Sequence, residues 1–172
     1  MDYTFEPVRI SLEFLVLSVI LATFTLFRIK PDKKSIRSGA ISAVCVAITD
    51  FVIESSAHGL ALWHLHGALP LLGVPLVFTV AWVFNGLAFC VLWGYRIKRG
   101  GNKKVLYPVF TVSGAAIGTF WNWLGSTYLG VLTFELGTLF QAFLVWLFLV
   151  PFTIAIYEKF STSRDKIPVH KT

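Results

Sequence analysis

The chain has 172 residues, of which 56% are hydrophobic and 14% charged, and its mean hydropathy is +0.73. Soluble domains carry about a quarter charged residues, so the composition excludes a soluble globular protein and points to an all-α, polytopic membrane protein. The net charge of +6 reads as a topology signal, aided by anionic lipid at an inner surface, and no nucleic-acid partner is expected.

A helix needs about 20 mostly apolar residues to cross a hydrocarbon core about 30 Å thick. Five stretches reach that length: about 7–27, 39–61, 71–95, 105–127 and 132–157. They predict a bundle of about five transmembrane helices forming one membrane domain over residues 1–157, followed by a basic tail over 158–172. The first stretch follows Asp2 and Glu6 and has no small-x-small cleavage site after it, so it reads as a retained span and not as a secretory signal. Between the first two stretches lie Arg28, Lys30, Lys33, Lys34 and Arg37; between the third and fourth lie Arg96, Lys98, Arg99, Lys103 and Lys104; the tail holds Lys159, Arg164, Lys166 and Lys171. Of the 15 basic residues only Arg9 falls elsewhere. Positive residues gather on the cytoplasmic side, so the expected topology is multi-pass in the cell membrane, with the N-terminus outside and the C-terminus cytoplasmic.

The second stretch carries the most informative residues. Asp50 and Glu54 lie one helical turn apart, with His58 one turn further, and no Lys or Arg falls between Ala40 and Ala61 to neutralise them. Ionisable groups inside a span are expensive and mark functional sites by default. At a spacing of i and i+4 the two carboxyls share a helix face with Cβ atoms roughly 6 Å apart. Mutual repulsion and apolar surroundings disfavour two charges, so one carboxyl is expected to hold a proton that it can donate while the other accepts or orients. The bland alternative is a hydrogen-bonded pair that ties helices together. Below them Gly39, Ala43 and Ala47 form a small-xxx-small stripe that admits a close neighbour.

Further along, Trp82 and Asn85 lie in the third stretch, Asn122 in the fourth, and Glu135 and Trp146 in the fifth. With Glu13 of the first stretch, most of these polar groups map to the outer half of the bilayer, which predicts a polar pocket there. Asp50 and Glu54 are its candidate catalytic residues. His58, Trp82, Asn85, Asn122, Glu135 and Trp146 are its candidate substrate-binding residues. The face bearing Gly114, Gly118 and Asn122 is expected to bring the fourth helix against the carboxylates. Glu54 and His58 have a spacing that can chelate a metal such as zinc, but no HExxH-type pairing accompanies them, and neither a metal nor a cofactor is expected. Trp63, Trp121, Trp123 and Tyr128 suit an outer aromatic belt. Cys45 and Cys90 read as packing residues.

The run Asp50-x3-Glu54-x8-Trp63, followed by Gly73-Val74-Pro75 and Trp82, resembles the pattern of the membrane carotenoid-biosynthesis family that includes bisanhydrobacterioruberin hydratase. The likeness covers residues 50–82, about a fifth of the chain. It departs where Phe78 and Val80 stand near the family's Asn-Phe. What it implies is water addition to, or cyclisation of, a polyisoprenoid: a carboxylic acid protonates a carbon–carbon double bond, and aromatic rings stabilise the cation. Two other classes fit the same carboxylates. One is a small transporter or ligand- or ion-binding membrane protein. The other is an accessory subunit whose acidic residues meet a partner's basic ones, or a homo-oligomer. Membrane lipid and an isoprenoid or lipid-like ligand are the expected partners. Cysteine-accessibility labelling should show cytoplasmic exposure at Lys33, Gly101 and Ser163 and outer exposure at Tyr3 and Gly67; reversal at two or more positions would overturn the topology.

Overall fold

A computed structural model describes residues 5–162. Five α-helices dominate it: α1 (Phe5–Ile29), α2 (Lys33–Gly59), α3 (Leu76–Lys98), α4 (Lys103–Leu124) and α5 (Leu139–Thr162). Four of them, α1, α2, α3 and α5, are long and apolar enough to cross a membrane. α4 is not among these four, although it has 22 residues. Two lysines, three aromatic residues with polar atoms and Asn122 lower its hydropathy.

Local chemistry sets the helix ends. Asp32 caps α2 by accepting a hydrogen bond from Ser35 N at 2.7 Å, and Asn102 caps α4 by accepting from Lys104 N at 3.0 Å, each satisfying an otherwise orphaned amide. The Lys98 ammonium at the end of α3 reaches the Asp32 carboxylate at 2.5 Å and Ser35 Oγ at 3.0 Å. This cation and the Ser35 amide hold the Asp32 carboxyl well below the usual carboxylate range. Lys103 at the start of α4 pairs with Glu158 near the end of α5 at 2.7 Å. These links gather the end of α3, the starts of α2 and α4 and the end of α5 at one basic end of the bundle.

The opposite end is closed by strands where helix was expected. Residues 71–75 and 132–138 are not helical. β2 (Pro70–Leu71) and β3 (Val74–Pro75) form a hairpin, and β1 (Trp63–Leu65) pairs antiparallel with β4 (Leu132–Phe134). The hairpin turns through Leu72 and Gly73, both with positive φ (49° and 79°), as a two-residue turn of the primed type requires. Gly73 is also pressed against the His58 ring, where a Cβ would collide. Proline at both strand positions and these turn dihedrals delay α3 until Leu76. α4 ends in a π-helical turn, Gly125–Leu129, stopped by Gly130 at φ 63°. α5 runs on to Thr162, so the tail expected from residue 158 begins as helix; its residues 163–172 lie outside the described residues.

Packing runs α1 to α3, α3 to α2, α2 to α5 and α5 to α4, a row that curves until Phe14 of α1 meets Trp121 of α4, ring centroids 5.4 Å apart. The small stripe of α2 does receive a close neighbour: a Cβ on Gly86 of α3 would lie 3.1 Å from Ala43 Cβ, and one on Gly39 would lie 3.0 Å from Leu87 Cδ1. The glycine face of α4 differs from expectation. A Cβ on Gly114 would crowd Val150, and one on Gly118 would collide with the Trp146 ring, so this face packs on α5 and not on the carboxylates of α2. Because the α2–α3 approach is backbone-limited, Gly86→Leu should destabilise the protein by about 1–3 kcal/mol, as overpacked cores do. Val44→Leu, at an exposed α2 position, should be near neutral. Equal melting shifts for the two in detergent would refute the close-packing account.

Candidate functional site

α2 carries the site. Asp50 is 6% exposed, and its Oδ1 is buried with no hydrogen-bond partner among the described residues. Buried polar atoms are nearly always paired, so an orphaned carboxyl oxygen stands out. One turn further, Glu54 is held: its Oε2 accepts a hydrogen bond from the Trp63 indole Nε1 at 2.5 Å. The two carboxyls that spacing makes look equivalent are therefore different, one fixed by an indole and one free.

Two cavities meet at Asp50. The smaller, about 190 Å³, lies toward the strand end and is lined by Glu13, Asp50, Glu54 and Asn122 among apolar neighbours; Leu65, Val74, Val131 and Leu132 cap it. The larger, about 420 Å³, runs toward the basic end and is lined almost wholly by apolar side chains, with Asn85 near its upper part. Both share Phe14, Leu17, Asp50, Trp82, Trp121 and Trp146. Each of the five helices thus sends at least one of these residues to the junction. The rings form a continuous cluster: Trp82 to Trp146 at 4.6 Å, Trp82 to Phe14 at 5.6 Å and Phe14 to Trp121 at 5.4 Å between centroids. Chemically the junction offers one carboxyl group among aromatic rings, whose faces attract a positive charge, with polar groups on one side and hydrocarbon on the other.

Among the residues singled out from sequence, Asp50, Glu54, Trp82, Asn122 and Trp146 line the smaller cavity, and Asn85 lines the larger one. His58 and Glu135 line neither. His58 faces His64, with Nδ1 atoms 2.5 Å apart, and His64 Nε2 lies 3.0 Å from Glu135 Oε1. Glu135 is exposed because it follows strand β4 and so never joins the inward face of α5. Glu54 and His58 turn to different partners and do not converge on a common ion; no group of three or more metal-ligating side chains is arranged for a metal among the described residues.

Trp63 and Trp121 suit an outer aromatic belt by position in the sequence, but Trp63 is 5% exposed and Trp121 lines both cavities. Trp123 and Tyr128 are exposed, as a belt requires. A signal for Trp63 existed: a buried carboxylate needs a donor, and an indole nine residues on, across a tight connection, can supply one. Trp63→Phe would keep the edge contact with Phe134 but leave Glu54 Oε2 without its donor. The expected cost is about 1–3 kcal/mol, the penalty for stranding one buried partner. In the Glu54→Leu background the same change should cost much less; equal losses in both backgrounds, read by thermal unfolding, would deny the bond its role.

No protein-family model matches the chain, and no curated protein or solved structure matches it.

Proposed function

We propose that this chain is a membrane-embedded acid–base catalyst that adds water to, or cyclises, an isoprenoid or similar unsaturated lipid. In this reading α4 is the fifth span, the basic end faces the cytoplasm and the strand end faces outward, as the charge distribution favours. The observation that carries it is the junction: an unpartnered carboxyl, Asp50, enclosed by Phe14, Trp82, Trp121 and Trp146.

Asp50, in its acid form, gives its proton to one carbon of a double bond, and the π electrons form the new C–H bond. The cation left on the adjacent carbon sits among indole and phenyl faces, which stabilise it without being able to trap it. In hydration, a water held in the smaller cavity attacks that carbon and passes a proton to Glu54, which Trp63 orients; the proton then returns to Asp50, and the net change is addition of one water. In cyclisation a second double bond of the same chain attacks instead, and loss of a proton ends the sequence. The partial resemblance over residues 50–82 supports the same chemistry.

A proton-coupled carrier is the second reading, favoured by the way two cavities meet at one carboxyl along the bundle. In that case variants would abolish uptake and no chemically altered lipid would form. If Asp50 donates the proton, Asp50→Asn keeps the shape but removes the transferable proton. Product formation from a polyisoprenoid, followed by mass spectrometry, should then fall by about 10²–10⁴-fold. Glu54→Gln should do the same, with melting temperature in detergent retained. Wild-type turnover in both variants would sink the acid-catalysis reading.

A further inference from the structure

The larger cavity is not a closed void. α1 packs on α3 and α4 packs on α5, and between α1 and α4 there is no extensive packing. The cavity lies along that gap, with Leu17 and Leu21 on one wall and Ser113 and Ile117 on the other. All four are exposed on the bundle surface, Leu17 to 58% and Ile117 to 59%. In a bilayer this gap opens sideways onto lipid tails and not onto water.

Shape and polarity identify what fits. The lining runs from Trp82 to Leu92 on α3 and from Trp121 to Val109 on α4, which at 1.5 Å per residue is a length of about 15–18 Å. A volume of about 420 Å³ spread over that length is a narrow column, suited to one extended hydrocarbon chain. The charged and amide groups of the lining, Asp50 and Asn85, lie at its end nearer the strands, whereas the Ser113 hydroxyl sits on the exposed α4 wall. At the strand end Asp50 Oδ1 is buried without a hydrogen-bond partner among the described residues, and the Asn85 amide lines the cavity about one turn from Trp82. Toward the basic end the walls are Leu21, Phe89, Leu92, Val109 and Phe110, while the Thr153 hydroxyl donates to Leu149 O and is satisfied.

We infer that the gap between α1 and α4 is a lateral portal, and that the column behind it binds one linear hydrocarbon chain. A small hydroxyl or unsaturated head of that chain lies at Asp50 and its tail points to the basic end. The inference rests on the proposed chemistry only for the reactive nature of that head. A chain loaded this way needs no passage through water, and only its head reaches the aromatic junction and the polar cavity beyond. A diacyl phospholipid held head-first at Asp50 does not fit, because its headgroup would then have to occupy the smaller cavity of about 190 Å³ beneath the strand cap.

The test is photolabelling in nanodiscs with a long-chain alcohol carrying a mid-chain diazirine, with adducts mapped by mass spectrometry. A phosphatidylcholine carrying the same group in one acyl chain serves as a second probe. Adducts of the alcohol should concentrate on Leu17, Leu21, Ser113 and Ile117. They should fall by about tenfold in Ser113→Phe, the effect of one overpacked contact, and be unchanged in Val112→Phe, an exposed neighbour that does not line the cavity. Leu21→Trp blocks the opposite wall and should repeat the loss should Ser113→Phe not fold. Even labelling of outward residues such as Phe24 and Phe148, with no difference between the Ser113 and Val112 variants, would overturn the portal; equal labelling of the column by the phospholipid would overturn the single-chain assignment. Turnover of Asp50→Asn is read separately: activity without Asp50 defeats the catalytic reading and leaves the chain site standing, whereas lost labelling specificity defeats the chain site alone.

Discussion

An unpaired carboxyl inside an apolar bundle is the constraint on which the remaining features depend. Leaving a buried polar group without a hydrogen bond costs several kcal/mol when nothing nearby can answer it. Glu54 is paired, through an indole that strand β1 delivers. Asp50, one turn away, has an oxygen that is not. The contrast between the two gives the site its direction: a fixed acceptor on the strand side, and an open group at the mouth of a hydrocarbon column.

Holding that contrast requires several otherwise unrelated parts. Gly39, Ala43 and Gly86 bring α2 and α3 together below the carboxyls, which leaves the aromatic rings of α1, α3, α4 and α5 to wall the space above. Gly118 lets the Trp146 ring lie flat against α4, so Trp146 is placed beside Trp82 and not driven into the cavity. The β1–β4 ribbon contributes Leu65 and Leu132 to the cap and Trp63 to Glu54. At the far end, the Lys98–Asp32 and Lys103–Glu158 pairs fix neighbouring helix ends. The first pair is exposed and the second half-exposed, and such pairs contribute little energy of their own. As pH falls below about 4, the range where a free Asp takes up its proton, the contribution of the Asp32 pair is progressively lost.

Helical spacing was enough to read Asp50, Glu54, Asn122, Trp82 and Trp146 as sharing a region, because those residues lie inside long helices where direction and rise are regular. Spacing failed wherever the chain left the helices. The apolar run from residue 132 extends the expected fifth helix seven residues beyond the N-terminus of α5 and with it carries Glu135 to an inward face; strand pairing of residues 132–134 with 63–65, contacts nearly 70 positions apart, leaves no local trace. His58 was counted with the site for its i+4 distance from Glu54, but Gly73 and His64 draw its ring to the strand end. For Trp63 and Trp121 the usual interfacial role of tryptophan yields to a hydrogen bond to Glu54 and to a place in the cavity wall. The glycines of α4 announced a close approach without naming the partner, which is α5.

On this reading Asp50 is a free carboxyl, shielded from water and reachable from the bilayer. Reaction with an apolar carbodiimide, which partitions into lipid and modifies carboxyl groups in their acid form, tests it most directly when adducts are mapped by mass spectrometry. Asp50 should be modified selectively over Glu6, Glu13 and Glu158, with little reaction there from a water-soluble carbodiimide at equal dose. An unmodified Asp50, or labelling only by the water-soluble reagent, would contradict it.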